Sequence, residues 1–186
     1  MHYSKPNKRL SRDDWLLAGL QLLRKEGIAR VTVDRLAAEL GITRGSFYHH
    51  FKNRRDLLKD MLDYWIREWT LAVIDDVKAL GLEPRTTLLA LIKMIRHRSA
   101  ADYDAAVRAW ALNDPLPAKY VRQADKERLT YIKSLLGEAG FKGLDLENRA
   151  RLLLYYEAFQ PMMFAKPKAE DEDALTELRH RLLSGQ

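Results

Sequence analysis

The chain has 186 residues, of which 47% are hydrophobic, with 9 glycines, 6 prolines and no cysteine. This composition predicts one or two compact units rather than a disordered chain. Without cysteine, disulfides and cysteine-based zinc or iron–sulfur sites are excluded, which agrees with a reducing cytoplasm. The N-terminus has no apolar signal region, and no run of about 18 uncharged apolar residues occurs, so we expect a cytoplasmic protein that does not cross a membrane.

The basic excess is confined to the first third of the chain. Residues 1–60 hold 13 Lys and Arg against 7 Asp and Glu, whereas residues 61–186 hold 19 of each. Such a segment favours a polyanionic partner, because neutralised phosphates release their counterions. Charge alone is equally compatible with a surface that only keeps the protein soluble.

The first two helices can be placed from residues that cap helices. One helix is expected to begin at Ser11, with Asp14 in capping-box position, and to end at Gly27. A second helix is expected after Thr32, a further capping residue, and ends at Gly41.

Two more helices follow closely. Thr43 is predicted to cap a short helix that reaches Lys52, and Asn53 with Asp56 opens the next one. An apolar stripe then continues without a break to Gly81, which predicts one long helix belonging to two domains.

The rest of the chain also has helical periodicity and shows no convincing strand. Further helices are expected at residues 84–101, 103–113, 117–139, 145–165 and 171–183. Pro161 is expected to kink the fourth of these or to end its regular part. The predicted fold is therefore all-α, with a first helical domain at residues 1–55 and a second at 56–186.

Residues 33–58 have the spacing of a helix-turn-helix. Ala37 is small where two helices must cross closely, and Gly41 can adopt the positive φ that a tight turn requires. On a wheel of the next helix, Phe47 and Phe51 share the buried face. The remaining side chains can reach the major groove or the adjoining phosphates. These candidate DNA contacts are Thr43, Arg44, Gly45, Ser46, Tyr48, His49, His50 and Lys52.

Two neighbouring segments are candidates for binding phosphate. Arg54 begins the fourth helix, where backbone N–H groups and a cationic side chain can hold a phosphate. Lys5, Lys8 and Arg9 form a basic arm that can lie along the DNA backbone or in a minor groove. The alternatives are a disordered terminus for the arm and a small solvated helix for the segment after Thr43.

The stretch from Leu36 to Asn53 resembles the TetR family of repressors. The likeness runs from Ser11 to about Leu62 and includes the Gly-Ile-Thr turn, the Phe-Tyr-His-His-Phe helix and the Asp-Leu-Leu that starts a long helix. It implies an all-helical homodimer with a recognition helix at 43–50, a larger ligand-binding domain and dimerisation through the last two long helices. By position, the matches to the family's DNA-contacting residues are Arg44, Gly45, Ser46, Tyr48 and His50.

The resemblance also bears on three neighbouring positions. Arg54 stands where a lysine commonly touches phosphate in this family, so it keeps the charge and changes the geometry. Thr32 is the expected phosphate donor at the start of the second helix, and Asp34 is excluded because its carboxylate is a poor contact for DNA.

Residues 61–186 show no pattern that identifies a ligand. Aromatic, methionine and histidine side chains in this part can line an apolar effector pocket, although core packing explains each of them as well. They are Trp65, Trp69, Met94, His97, Trp110, Tyr155, Phe159 and Met162. Arg96 and Arg98 beside His97 would suit an effector that carries a carboxylate.

Two apolar stripes on the last helices are expected to form a dimer interface, with filling of the monomer core as the competing interpretation. The first stripe is Leu152, Tyr156, Phe159 and Met163, and the second is Leu175, Leu178 and Leu182.

Together these features predict a ligand-responsive transcriptional regulator, in the first instance a repressor. It would bind a palindromic double-stranded DNA operator as a homodimer and be released by a small-molecule effector of unknown identity. The alternative is a DNA-binding regulator without an effector, or an activator. An enzyme is not expected. His49 and His50 point about 100° apart on a helix, which does not suit binding of one metal ion by both. Neither a phosphate-binding loop nor a nucleophile elbow occurs in the sequence. No cofactor and no metal are predicted.

Overall fold

The computed structural model describes residues 10–163, 165 and 167–185. The predicted basic arm, Lys5, Lys8 and Arg9, lies outside these residues. Within the described ranges the chain is helical and forms no strand, so the all-α fold class is confirmed. None of the described helices combines the length and the apolar character needed to cross a membrane.

The chain divides into two compact units, Met1–Tyr64 and Trp65–Gln186. The sequence placed the boundary near residue 55, before most of the fourth helix. The first turns of that helix belong to the first unit because they pack closely on its first helix. A Cβ atom built on Gly19 would lie only 2.6 Å from the sulfur of Met61.

Four helices begin in the first unit, and the fourth ends within the second. They are α1 (Arg12–Glu26), α2 (Val33–Leu40), α3 (Arg44–Phe47) and α4 (Arg54–Ile66), with a 3-10 turn at Ile28–Arg30. Their ends follow the predicted caps. Ser11 and Asp14 form a capping box at the start of α1, and Thr32 accepts a hydrogen bond from the Arg35 backbone N–H at 3.3 Å. Asn53 accepts from the Asp56 N–H at 3.0 Å.

The second unit contains a π-helical turn and six α-helices among its described residues. They are the turn Arg67–Leu71 and α5 (Ala72–Ala79), α6 (Pro84–His97), α7 (Ala100–Ala111), α8 (Pro115–Glu138), α9 (Gly143–Met163) and α10 (Ala169–Ser184). Val77, Ile92, Leu136 and Leu153, from four of these helices, are at the centre of its core. Pro161 lies inside the last turn of α9, near the end of its regular part.

The long helix predicted from Asn53 to Gly81 is continuous but not α-helical throughout. The π-helical turn between α4 and α5 leaves backbone carbonyls free to accept other donors. Arg128 donates to the Thr70 hydroxyl at 3.0 Å and to the Trp69 carbonyl at 3.5 Å. Side chains of the second unit therefore satisfy the backbone that this turn exposes.

The sixth helix is shorter than predicted. It was expected to reach about residue 101, but it ends at His97 because Ser99 adopts the left-handed conformation, with φ at +50°. A non-glycine residue rarely adopts this conformation, and it breaks the helical hydrogen-bond pattern. The chain then turns directly into α7.

Candidate functional site

The segment from Thr43 to Lys52 is held in place by a buried aromatic cluster. Phe47 and Phe51 lie 5.2 Å apart between ring centroids, and both rings pack edge-on against Trp15 of α1, at 5.5 and 6.5 Å. All three side chains are buried. The two phenylalanines therefore face inward, as the wheel predicted, and the residues between them are turned outward.

Most of the predicted DNA contacts lie on the outer surface of this segment. The exposed ones are Thr43, Arg44, Gly45, Tyr48, His49 and Lys52, and the half-buried ones are Thr32, Ser46 and His50. Two of the exposed side chains are large: Tyr48 is 54% exposed, and 61% of the Arg44 side chain is exposed. The surface offers a cation, an aromatic hydroxyl and an imidazole to a partner.

The segment Thr43–Lys52, called the recognition segment after its predicted role, is less regular than the sequence predicted. Within this segment Arg44–Phe47 are α-helical. The next turn has hydrogen bonds between residues three apart, as in a 3-10 helix; His50 N–H, for example, donates to the Phe47 carbonyl at 2.9 Å. Thr43 stands at the N-cap position, but its hydroxyl makes no capping hydrogen bond, so its predicted capping role is corrected. That hydroxyl stays on the exposed surface.

Arg44 does not stand alone on this surface. One of its guanidinium nitrogens lies 3.4 Å from the Asp34 carboxylate on α2, and both side chains are mostly exposed. A hydrogen bond with Tyr48 and the charge of Asp34 raise the pKa of Arg44 above its usual value. Arg44 therefore remains cationic, and a loose contact with Asp34 orients it.

Arg54, the predicted phosphate contact at the start of α4, makes two hydrogen bonds within the protein. Its Nε donates to the Val31 carbonyl at 2.6 Å and a terminal nitrogen donates to the Ile28 carbonyl at 2.9 Å. The guanidinium thus satisfies carbonyls of the irregular turn between α1 and α2. Arg54 therefore helps to hold the motif together, and its contact with phosphate stays a prediction.

Arg12 supports the same segment and was missed by the sequence analysis. Its guanidinium lies 4.6 Å from the centroid of the Phe51 ring, donates to the His50 carbonyl and pairs with Asp60 on α4. It therefore ties the end of the recognition segment to two other helices. Because its partners lie far along the chain, no local sequence pattern predicted this role.

Comparison with known proteins agrees with this geometry. Residues 16–61 match the model of a family described as bacterial regulatory proteins, tetR family. The chain is also 30% identical over 130 residues to the HTH-type transcriptional repressor KstR2 of Mycolicibacterium smegmatis, an alignment that covers 67% of this chain and 62% of that protein.

The chain belongs to the TetR family. The matched region contains the whole exposed segment described above. The chain spans less than two thirds of the length of the curated relatives that it matches.

Two solved TetR-like folds extend the likeness over both units. A transcriptional regulator from Rhodococcus sp. Rha1 aligns with a TM-score of 0.74 at 20% identity and covers 95% of both chains. AibR, solved in complex with isovaleryl coenzyme A and operator DNA, aligns with a TM-score of 0.68 at 15% identity, covering 94% of this chain and 97% of AibR. At these identities the likeness shows the fold.

In this TetR-family chain, the eight candidate effector residues do not converge on one pocket. Trp69 lines an internal cavity of the second unit. Trp65 is fully buried beneath Arg128, and the Trp110 indole donates to Asp114, the N-cap of α8, at 2.9 Å. Met94 packs at the edge of the core. The other four are exposed: His97, Tyr155, Phe159 and Met162.

The cavity has a volume of about 50 Å³ and walls from several helices. Val73, Leu91 and Leu153 are among the apolar residues that line it, with Trp69 at one side. The sequence did not identify these aliphatic residues, because cavity-lining and core residues have the same helical spacing of branched side chains.

A buried ion network closes another side of the cavity. Asp104 accepts from Arg108 at 2.8 Å and from Arg128 at 2.7 Å, and Arg108 also donates to Asp125 at 3.0 Å. Asp104 and Arg128 both line the cavity. Its charged walls are therefore already neutralised by partners within the protein.

The two stripes predicted for dimerisation are exposed. Leu152, Tyr156, Phe159 and Met163 lie on the outer side of α9, and Leu175, Leu178 and Leu182 do so on α10. The inner side of α10 is unusually polar, since Thr176 and His180 are buried while Leu178 and Leu182 are 53% and 76% exposed. Of the leucines of α10, Leu183 is buried in the core, whereas Leu175, Leu178 and Leu182 are exposed.

Proposed function

We propose that the protein is a transcriptional regulator, in the first instance a repressor, that binds operator DNA through α2 and α3. The observation that carries this proposal is the segment Thr43–Lys52, whose phenylalanines are buried while Arg44, Tyr48 and His49 are exposed together. Such a surface can read base edges in a major groove, and Lys52 can contact the neighbouring phosphates. Family membership and the basic excess of residues 1–60 support the same conclusion.

The proposal includes a homodimer formed through the outer sides of α9 and α10. An exposed apolar surface of this extent on a monomer usually marks an interaction site. The exposure of Leu175, Leu178 and Leu182 on α10, while Thr176 and His180 are buried on its inner side, supports pairing with a second copy of the chain. Such a dimer would present two recognition segments about 34–36 Å apart, one turn of a palindromic operator.

The cavity of the second unit is proposed to bind a small-molecule effector. Walls that are mainly apolar with a few polar groups are typical of small-molecule sites. AibR, a structural neighbour, was solved with both a small molecule and operator DNA. A ligand that binds better to the form unsuited to DNA would shift the population away from the operator.

The DNA-binding proposal is tested by fluorescence anisotropy with duplexes from the region upstream of the protein's own gene and with a scrambled duplex. We expect tighter binding to one upstream duplex and a steep decrease in affinity with salt. Arg44→Ala and Tyr48→Ala should each weaken specific binding by about tenfold or more. Arg122→Ala, which removes an exposed arginine from α8 of the second unit, is the matched control and should bind as the wild type does. Equal affinity for every duplex would refute specific recognition.

The dimer is tested by sedimentation equilibrium. Leu178→Asp places a charge on the proposed apolar interface, so we expect monomers and a large loss of operator affinity. Leu112→Asp introduces the same charge at an exposed leucine that ends α7 and should leave the dimer intact. A wild-type chain that sediments as a monomer at micromolar concentration would contradict this part of the proposal.

A further inference from the structure

Two cavities lined by described residues of the second unit share a wall. The first, of about 50 Å³, is the cavity described above, and the second has a volume of about 100 Å³. Ile95, Ala101 and Glu157 line both of them. The two cavities are therefore adjacent, and these side chains lie between them.

The two cavities differ in chemistry. The first is walled mainly by aliphatic side chains and Trp69. The second is more polar, since its wall contains Arg96, Thr176, Gln160 and Arg179 beside apolar residues such as Ile95 and Leu175. A ligand that fills both would therefore be apolar at one end and polar at the other.

Most of the charged side chains around both cavities have an opposite charge beside them within the protein. In the polar cavity Arg179 lies 3.0 Å from Glu157, and Arg96 pairs with Asp173 at 2.6 Å. In the apolar cavity Asp104 is bound by two arginines. An ionised ligand would therefore meet walls in which most charges already have an opposite charge beside them.

A charged end group would meet like charges on either side. A carboxylate in the polar cavity would lie in a wall that contains Glu157 and Glu172, and an ammonium in one that contains Arg96 and Arg179. An ion taken out of water without a partner is strongly disfavoured. An uncharged polar group avoids this penalty, since the same side chains can still exchange hydrogen bonds with it.

We propose that the two cavities form one site for an uncharged amphipathic molecule, with a short aliphatic part against Leu91 and Leu153 and an amide or alcohol beside Glu157 and Arg179. This inference deepens the proposed function, because it names the chemical class of the effector. Two buried atoms of the polar cavity support it, since Glu157 Oε1 and Arg179 Nε make no hydrogen bond within the described part of the chain, and an amide can donate to the first and accept from the second. Burial also raises the pKa of Glu157, although the charge of Arg179 acts in the opposite direction. The surroundings of Glu157 therefore disfavour a charged group.

The test compares three six-carbon probes that differ only in their end group: hexanamide, hexanoate and hexylammonium. Each is titrated into the full chain at pH 7 and followed by protein-observed NMR and tryptophan fluorescence, because Trp69 lines the apolar cavity. We expect saturable binding of hexanamide with a Kd at least about tenfold lower than that of the two ions. Tighter binding of either ion, or no saturable binding of hexanamide, would overturn the proposal.

Two variants locate the binding. Ala101→Leu adds bulk to the shared wall and should abolish hexanamide binding, whereas Ala109→Leu, an exposed position on the same helix, should bind as the wild type does. Glu157→Gln removes the partner of Arg179, so hexanoate should gain affinity relative to hexanamide. Unchanged binding in Ala101→Leu would place the probe elsewhere and reject the site.

Operator binding without any probe separates this inference from the proposed function. If the wild type and Ala101→Leu both bind the upstream duplex while hexanamide fails to bind, the regulator proposal stands and the ligand class is rejected. If hexanamide binds as expected but no duplex is recognised, the cavity assignment stands and the DNA-binding function is rejected.

Discussion

The two units of the molecule contain the same kind of ion pair in opposite settings. Arg44 and Asp34, on the proposed DNA-binding surface of the first unit, lie 3.4 Å apart with 61% and 73% of their side chains exposed. Arg108 and Asp104, in the second unit, lie 2.8 Å apart with 9% and 3% exposed. Exposed pairs are weak and easily opened, whereas a buried charge that loses its partner is strongly destabilising. The first pair is therefore available to a ligand, and the second is part of the fold.

The two carboxylates also differ in how many of their oxygens contact an arginine. Asp104 accepts from Arg108 with one oxygen and from Arg128 with the other. Asp34 has a single long contact to Arg44. A phosphate or a base can thus compete for Arg44, while a ligand in the cavity meets arginines that are already occupied.

The strongest way to test this contrast is to remove the buried carboxylate. Asp104→Ala leaves Arg108 and Arg128 without their shared partner, and we expect the second unit to lose about 3–5 kcal/mol of its free energy of unfolding. Amide hydrogen exchange, resolved by segment, measures the loss in α7 and α8 separately from the first unit. Asp75→Ala, at an exposed position of α5, is the control and should change little. A loss below about 1 kcal/mol would mean that the network is not structural.

Local sequence was sufficient to predict the features of the first unit that depend on neighbouring residues. The caps at Ser11, Thr32 and Asn53 and the left-handed Gly41 need partners only a few residues away. The inward Phe47 and Phe51 follow from helical spacing alone. Hence most of the exposed recognition surface could be predicted.

What the sequence could not predict depends on partners that are distant along the chain. Arg54 reaches the Ile28 and Val31 carbonyls, and Arg12 reaches the His50 carbonyl, across 23 to 38 residues. The cavity is built from aliphatic side chains of several helices, and only the packed structure distinguishes a wall from a core. The aromatic residues predicted for the pocket are conspicuous in the sequence, but most of them serve packing, capping or the exposed side of α9.

An intermediate effect on stability is expected for Arg54→Ala. Comparing this variant with Lys52→Ala distinguishes a cation that stabilises the fold from one that contacts DNA. Arg54→Ala removes two hydrogen bonds to backbone carbonyls, so the first unit should lose about 1–2 kcal/mol of its free energy of unfolding. Lys52→Ala should leave that stability unchanged and reduce the salt dependence of operator binding by about one phosphate contact. Urea unfolding followed by hydrogen exchange in α1 and α2, together with anisotropy at several salt concentrations, measures both effects. If Arg54→Ala keeps full stability and only the salt slope falls, Arg54 is a phosphate contact after all.

The smallest effect is expected at the exposed pair itself. Asp34→Asn removes a negative charge beside Arg44, so affinity for any duplex should rise by less than about tenfold, and stability should not change. Glu39→Gln removes the same charge from the same helix, but its partner is Arg35 rather than Arg44. If only the charge of the surface matters, the two variants will raise affinity equally in the anisotropy assay. If Asp34 restrains Arg44, as the 3.4 Å contact indicates, Asp34→Asn will have the larger effect, and the excess will disappear in the Arg44→Ala background.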